Sequence, residues 1–221
     1  MIRLIKRFAD NREMNSLATT MRRRRFALFI RLLNKLPRPI TILDVGGTQR
    51  FWETMRFADS DVLVVLLNIT APAVTLPNFI GLAGDARDMH QFADDEFDVV
   101  FSNSVIEHVG DFANQRRMAS EIRRVGKRYF VQTPSRSFPI EPHFLYPYFQ
   151  FWPMSIRVAM LSRWDVGWWK RIPDPAAARA ELESIQLLSA RQMRELFPDG
   201  TIYRERLLGL TKSYIAYGGW E

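Results

Sequence analysis

The chain contains no cysteine, which excludes disulfides, zinc–thiolate sites and thiol nucleophiles, and which suits a cytoplasmic protein. It also lacks any uninterrupted apolar run approaching the roughly 20 residues of a bilayer-spanning helix. Met1–Asp10 has basic residues scattered through it and no small-residue cleavage site, so no secretory signal is expected. Internal repeats and low-complexity tracts are missing as well. Histidine is scarce: His90, His108 and His143 are the three in the sequence, which leaves few side chains that change charge near neutral pH.

What remains is ample for one α/β domain with a full core, since the chain has 221 residues of which 47% are apolar. The net charge of +7 is local in origin. Residues 1–38 hold eleven Lys and Arg against two acids, a local +9, and the rest of the chain nets −2. That basic N-terminal segment suits an anionic membrane surface, a nucleic acid or an acidic partner; the remainder of the chain does not require one.

The stretch Ile40–Thr48 organises the reading. Ile-Thr-Ile-Leu runs into Asp44-Val-Gly46-Gly47, a short, uniformly apolar segment that predicts a buried parallel strand stopped by a turn. Gly46 and Gly47 permit backbone angles closed to other residues and let a ligand approach the main chain. A helix is expected from Phe51 to Phe57, so the unit reads strand, glycine turn, helix, the opening of a doubly wound nucleotide-binding sheet. Ahead of it, Phe26, Phe29, Ile30, Leu33 and Leu36 draw one apolar stripe at i, i+3, i+4, i+7 and i+10, which predicts a helix within residues 15–36 ended by Pro37 and Pro39. Arg22–Arg25 form a basic run just before the stripe.

Further strands are expected over Asp61–Asn68, Asn78–Gly84, Phe97–Ser102 and Tyr129–Thr133, with helices over Ser104–His108 and Phe112–Val125 and a polar helix carrying His90. Residues 134–188 then break the alternation. The segment carries prolines at 139, 142, 147, 153 and 173, and ten of the 28 aromatics of the chain fall between Phe138 and Trp169. A connection this long is functional or holds helices of its own, and a cap over the strand ends is expected. Its aromatics fill either the core of the cap or an apolar acceptor pocket. Trp164, Trp168 and Trp169 beside Lys170 suit a membrane interface. A helix over Ser189–Phe197 and strands over Thr201–Leu207 and Leu210–Tyr217 close the chain, placing an antiparallel strand in a mostly parallel, seven-stranded sheet.

The strand ends on one edge carry Asp44-Val-Gly46-Gly47, Asn68, Gly84-Asp85-Ala86, Ser102-Asn103-Ser104 and Thr133-Pro134. Two carboxylates, an amide and two glycines suit a hydroxyl-rich nucleoside better than a pyrophosphate. With Ile42-Leu-Asp-Val-Gly-Gly-Thr48, Gly84-Asp-Ala-Arg-Asp-Met89 and Glu96–Val109 in this order, the sequence resembles the class I S-adenosylmethionine-dependent methyltransferases. It is similar, among them, to the small bacterial type 11-like branch. The resemblance covers roughly residues 38–134 and 187–218 and implies a Rossmann-like fold over a single domain, residues 1–221. It implies S-adenosylmethionine as cofactor. Asp44 would orient the amino-acid end of the cofactor, with backbone contact at Gly46 and Gly47. Asn68 would meet the ribose, Asp85 and the Ala86 N–H the adenine, and Ser102 and Asn103 the methionine moiety.

Two positions depart from the family pattern. Gly46-Gly47-Thr48-Gln49-Arg50 shortens the usual glycine-x-glycine-x-glycine turn, and Asn68 stands where an acid is usual. The resemblance implies methylation at oxygen or nitrogen of a small-molecule acceptor of the lipid, glycan-precursor or secondary-metabolite class. A hydroxyl acceptor also needs a general base. His108, beside Glu107 after the fourth strand, and His143, in Ile140-Glu-Pro-His-Phe144 of the cap, are the catalytic candidates. No metal is expected. The alternatives are an RNA or protein methyltransferase, or a non-catalytic scaffold held at a membrane or partner by the N-terminus. Base-amine methylation of nucleic acid is disfavoured, because Ser102-Asn-Ser-Val105 stands in place of an asparagine-proline-proline-aromatic signature. A nicotinamide dehydrogenase is disfavoured by the missing third glycine. A cytoplasmic protein with peripheral membrane contact through its basic segment is the expected location.

Overall fold

Alternation along each strand decides which helix layer a side chain meets. In β1, Ile40–Val45, the residues Ile40 and Ile42 face one layer and Leu43 and Val45 the other. The computed structural model describes residues 16–220. Expectations for residues 1–15, the first part of the basic segment, lie outside the described residues.

The N-terminal helix α1 spans Leu17–Leu33 and starts at Ser16, whose hydroxyl accepts the Thr19 N–H at 3.0 Å. The predicted stripe points inward, with Phe26, Phe29 and Leu33 buried against Ile40, Ile42, Val64, Leu66, Phe101, Phe130 and Ile215. Full burial of a side chain such as Phe29 stabilises the fold by roughly 2–3 kcal/mol. After β1 comes α2, Gln49–Thr54, which adds the fully buried Trp52 to the same layer. The strands β2, Val62–Asn68, β3, Phe79–Ala83, and β4, Val99–Asn103, follow. Then come a 3₁₀ turn at Ile106–His108 and α3, Phe112–Val125, capped by Asp111. β5 spans Tyr129–Pro134. α3 packs Met118, Ala119, Ile122 and Val125 on the opposite layer, joined by Met193 and Leu196 of α6, Ala190–Leu196.

β6, Thr201–Leu207, and β7, Leu210–Gly218, complete a seven-stranded sheet of order β3-β2-β1-β4-β5-β7-β6. β7 runs antiparallel to β5 and β6, and the other pairings are parallel. This is the expected doubly wound, Rossmann-like sheet. Its strand order reverses between β1 and β4, which places the ligand crevice at their carboxyl ends. No helix among the described residues is long and apolar enough to cross a membrane.

The cap carries its own helices, α4 at Met154–Arg163 and α5 at Pro175–Glu183, with a 3₁₀ turn at Phe149–Phe151. Phe144, Phe149, Leu161, Val166, Ala178 and Leu182 form a separate core there. The Phe144 and Phe149 rings lie 4.7 Å apart, and Tyr146 and Trp152 pack beside them. Phe144, Tyr146, Phe149, Trp152 and Trp169 therefore build the core of the cap. Tyr148, Phe151, Trp164 and Trp168 remain exposed.

The expected helix around His90 is replaced by turns. Asp85 accepts the Arg87 backbone N–H at 2.9 Å, and Arg124 of α3 donates to the carbonyls of Met89 and Phe92 at 3.0 and 2.8 Å. The Met89 carbonyl also accepts the Phe92 N–H at 2.9 Å, a single turn that the guanidinium stabilises without a continuing helix. Buried Met89 and Phe92 pin the segment to the α3-side core, and His90 is exposed beside Asp88.

Candidate functional site

The parallel register brings the predicted residues to one edge. Val45 pairs with Leu67 and Asn68 with Ala83. The Gly46 N–H donates to the Leu67 carbonyl at 2.7 Å, and the Gly84 N–H to that of Asn68 at 2.8 Å. The glycine turn, Asn68 and Asp85 thus sit at the ends of neighbouring strands. Gly46 takes φ +77°, a conformation that favours glycine, and a side chain there would run into Val105. A side chain on Gly47 would overlap the Asp44 carboxylate.

Asp44 shares its face with Ile40 and Ile42, so its carboxylate points into the α1/α2 layer rather than into the crevice. It is 1% exposed and accepts the Trp52 indole N–H at 2.7 Å. Burial pushes its carboxyl up to about 7, with the indole hydrogen bond pulling the other way. Asp44 thus braces the glycine turn from beneath, where the resemblance placed it, with its carboxylate bonded to Trp52. Ser102 is fully buried, with its hydroxyl donated to the Val45 carbonyl at 3.2 Å. Asn68 donates its Nδ2 to the Gly47 carbonyl at 2.8 Å, which ties the second strand to the turn and leaves Oδ1 as the acceptor atom. Asp85 holds Arg87 through both carboxylate oxygens, at 2.9 and 2.6 Å, and this hydrogen-bonded pairing keeps its carboxyl below the usual range. Ala86, half-buried, packs its methyl on the α3-side core.

The basic run is divided between protein and solvent. Arg25 reaches over the ends of β4, β5 and β6, donating to Asn103 and Gln132 at 2.6 Å each and to Glu205 at 3.1 Å. Its partner Glu205 also accepts the Ser213 hydroxyl at 2.6 Å. Arg22 lies 5.9 Å over the Phe51 ring, and burial lowers it to about 10. Arg23 and Arg24 are exposed. Half of the basic run is thus committed to the fold, and Asn103 presents its Oδ1 to α1.

On the other side of the crevice the two histidine candidates meet. The rings of His108 and His143 are 4.9 Å apart and perpendicular, although 34 intervening residues separate them. Glu107, fully buried, lies with them, and one ligand atom from each of the three falls within 4.8 Å of the others. The Oε2 of Glu107 accepts the Thr133 hydroxyl at 2.9 Å, whereas Oε1 is buried with no hydrogen-bond partner. Burial pushes Glu107 up to about 7. Glu141, 2% exposed, accepts from His143 Nδ1 at 2.7 Å and from the backbone N–H groups of His143 and Phe144 at 2.8 and 2.6 Å. Burial alone would lower His143, but the hydrogen bond and charge of Glu141, with the charge of Glu107, raise it. His108 is exposed along one edge and is lowered, by desolvation first and by His143 second. Glu107 and Glu141 were missed as site residues. Their signal was a carboxylate one or two positions before each histidine, in Ile-Glu-His and Glu-Pro-His.

Behind Glu141, between the cap and α3, lies a cavity of about 210 Å³ lined by Gln115, Arg136, Phe149, Gln150, Arg157 and Gln192 among others. Its lining sets two arginines and several glutamines beside Glu141 and apolar residues such as Phe144, Met154 and Leu182.

Residues 43–129 match the family model described as a methyltransferase domain. Among solved structures, a S-adenosylmethionine-dependent methyltransferase from Aquifex aeolicus is 12% identical with a TM-score of 0.51, over 98% of this chain and 97% of that one. Another, from Methanosarcina mazei, is 12% identical with a TM-score of 0.52, over 84% and 94%. No curated protein matches the chain by sequence. Residues 43–129 are thus similar to a methyltransferase domain, and the chain shares its fold with S-adenosylmethionine-dependent methyltransferases. The matched model is of the type 11 kind that the motifs suggested, and the cofactor this likeness implies is S-adenosylmethionine.

Proposed function

We propose that the protein methylates a hydroxyl-bearing small molecule, with Glu107, His108 and His143 handling the acceptor. The donor set of the crevice fits the cofactor. Asn68 Oδ1 would accept from a ribose hydroxyl, the Asp85 carboxylate would accept from the adenine amino group, and the Gly46-Gly47 turn would give backbone access beside them. Bound there, S-adenosylmethionine supplies a methyl group on a positively charged sulfur. The work left to the protein is to hold the acceptor oxygen in line with that methyl and to relieve it of its proton.

The single observation that supports this reading best is the meeting of His108, His143 and Glu107 beside the turn that follows β4. Val105, which contacts Gly46, begins the same turn. Glu141 holds the Nδ1 side of His143, so Nε2 is the nitrogen left for the acceptor. The arginine- and glutamine-lined cavity behind Glu141 favours an acceptor with a polar or acidic body, at the glycan-precursor end of the classes above. The test is a screen of cell extract with methyl-labelled S-adenosylmethionine. Label in a hydroxylated, acidic small molecule supports the reading; label confined to RNA or protein replaces it with the alternative.

A further inference from the structure

We propose that Glu107, His108 and His143 form a binding site for one divalent first-row transition cation such as Mn²⁺ or Zn²⁺. Two imidazoles and a carboxylate converge from separate elements, the 3₁₀ turn after β4 and the cap loop. Ligand atoms around such an ion stand roughly 3–4.2 Å apart, twice a bond length of about 2.1 Å at most. The observed ceiling of 4.8 Å is therefore within a small side-chain adjustment of closure. A second, independent feature points the same way: Glu107 is fully buried, yet its Oε1 has no hydrogen-bond partner among the described residues, while Oε2 is anchored by Thr133. A buried carboxylate oxygen left unmatched is costly, and a cation is the partner its charge calls for.

The outer contacts have the form found around metal ligands. Glu141 accepts from His143 Nδ1 at 2.7 Å, which fixes the ring and leaves Nε2 with its lone pair. Thr133 does the same for Glu107. Nitrogen donors select against Mg²⁺ and Ca²⁺, which take oxygen ligands, and the absence of thiolates removes the softest competitors. Three protein ligands leave coordination positions open. In the function proposed above, and resting on it, an open position would take the acceptor oxygen and the cation would lower the pKa of that hydroxyl, its proton passing to solvent water because His143 Nε2 would then be a ligand and not the base. This narrows the acceptor class to molecules whose hydroxyl binds a cation.

The experiment is a titration of the chelator-stripped, full-length protein with Mn²⁺, read by loss of the free-ion electron paramagnetic resonance signal. One Mn²⁺ per chain is expected, weakened at least tenfold in Glu107→Gln and His143→Asn and unchanged in His90→Ala, which removes the remaining histidine. Zero stoichiometry overturns the proposal, as does binding retained by both variants. Should Glu107→Gln fail to fold by circular dichroism, His108→Asn decides, because that side chain is partly exposed. S-adenosylmethionine is titrated into the same preparations without added metal. Cofactor binding without Mn²⁺ binding refutes the cation and leaves methyl transfer standing; the reverse outcome refutes the cofactor reading alone.

Discussion

Replacing Asp44 by Asn tests the claim that this carboxylate supports the glycine turn from inside the core. The group is 1% exposed and has one hydrogen bond, from Trp52, and burial lifts it from 3.8 to about 7. Because the folded-state value lies above the unfolded one, the folded chain retains a proton that the unfolded chain loses. Stability is therefore highest below pH about 4 for this group and falls as pH rises through about 7. The whole shift is worth about 4 kcal/mol, of which about 2.5 kcal/mol is lost between about pH 5 and about pH 8. Asparagine keeps the planar shape and an oxygen for the indole but has no proton to lose. Asp44→Asn should cut the drop in unfolding free energy between those pH values by about 2.5 kcal/mol, with the urea m-value unchanged. Glu107, also raised to about 7 by burial, acts with the same sign in both proteins and cancels from the comparison. Urea unfolding of both proteins at both pH values measures the difference. A change below about 0.5 kcal/mol would mean that Asp44 ionises at little cost, and the inward-facing account of it would be refuted.

Other substitutions test the remaining contacts. Arg25→Ala leaves Glu205 buried without its cation and should cost about 3–5 kcal/mol in urea unfolding, whereas Arg25→Met with Glu205→Leu should recover most of it; equal losses would show that the ion pair is not what matters. Gly47→Ala forces a methyl onto the Asp44 carboxylate and should cost about 1–3 kcal/mol, falling below about 1 kcal/mol in an Asp44→Ala background; additive losses would contradict the contact. His143→Ala should lower methyl transfer by about 100-fold or more while the affinity for S-adenosylmethionine, measured by calorimetry, stays within about twofold; loss of both would place His143 in the cofactor cradle instead.

The strands were legible because short, uniformly apolar runs closed by turn residues mark buried strands without any knowledge of partners, and a period of two within them sets their faces. Phe112–Val125 was legible as a helix for the corresponding reason, and the helix matches that range. The same period, carried one residue further, would have turned Asp44 inward with Ile40 and Ile42; its position before two glycines suggested a ligand contact instead. The turns around His90 could not be read locally, since their carbonyls are satisfied by Arg124, more than thirty residues downstream. Likewise the meeting of His108 with His143 depends on where the cap folds back, which no spacing encodes. Each histidine was visible in the sequence as a candidate, but the buried carboxylates that give the pair its chemistry, Glu107 and Glu141, became meaningful through distances alone. The aromatic density of the cap was real, and its use is internal: Phe144 and Phe149 stack within the cap, so composition named the material and packing gave its purpose.

The central claim is that the ends of β1, β2 and β3 make a nucleoside cradle. Isothermal titration of S-adenosylmethionine into the wild-type protein and Asp85→Ala tests it most directly. The account predicts saturable binding of one molecule per chain, weakened about tenfold or more when Asp85 can no longer accept a hydrogen bond. No saturable binding, or equal affinity in the two proteins, would contradict it.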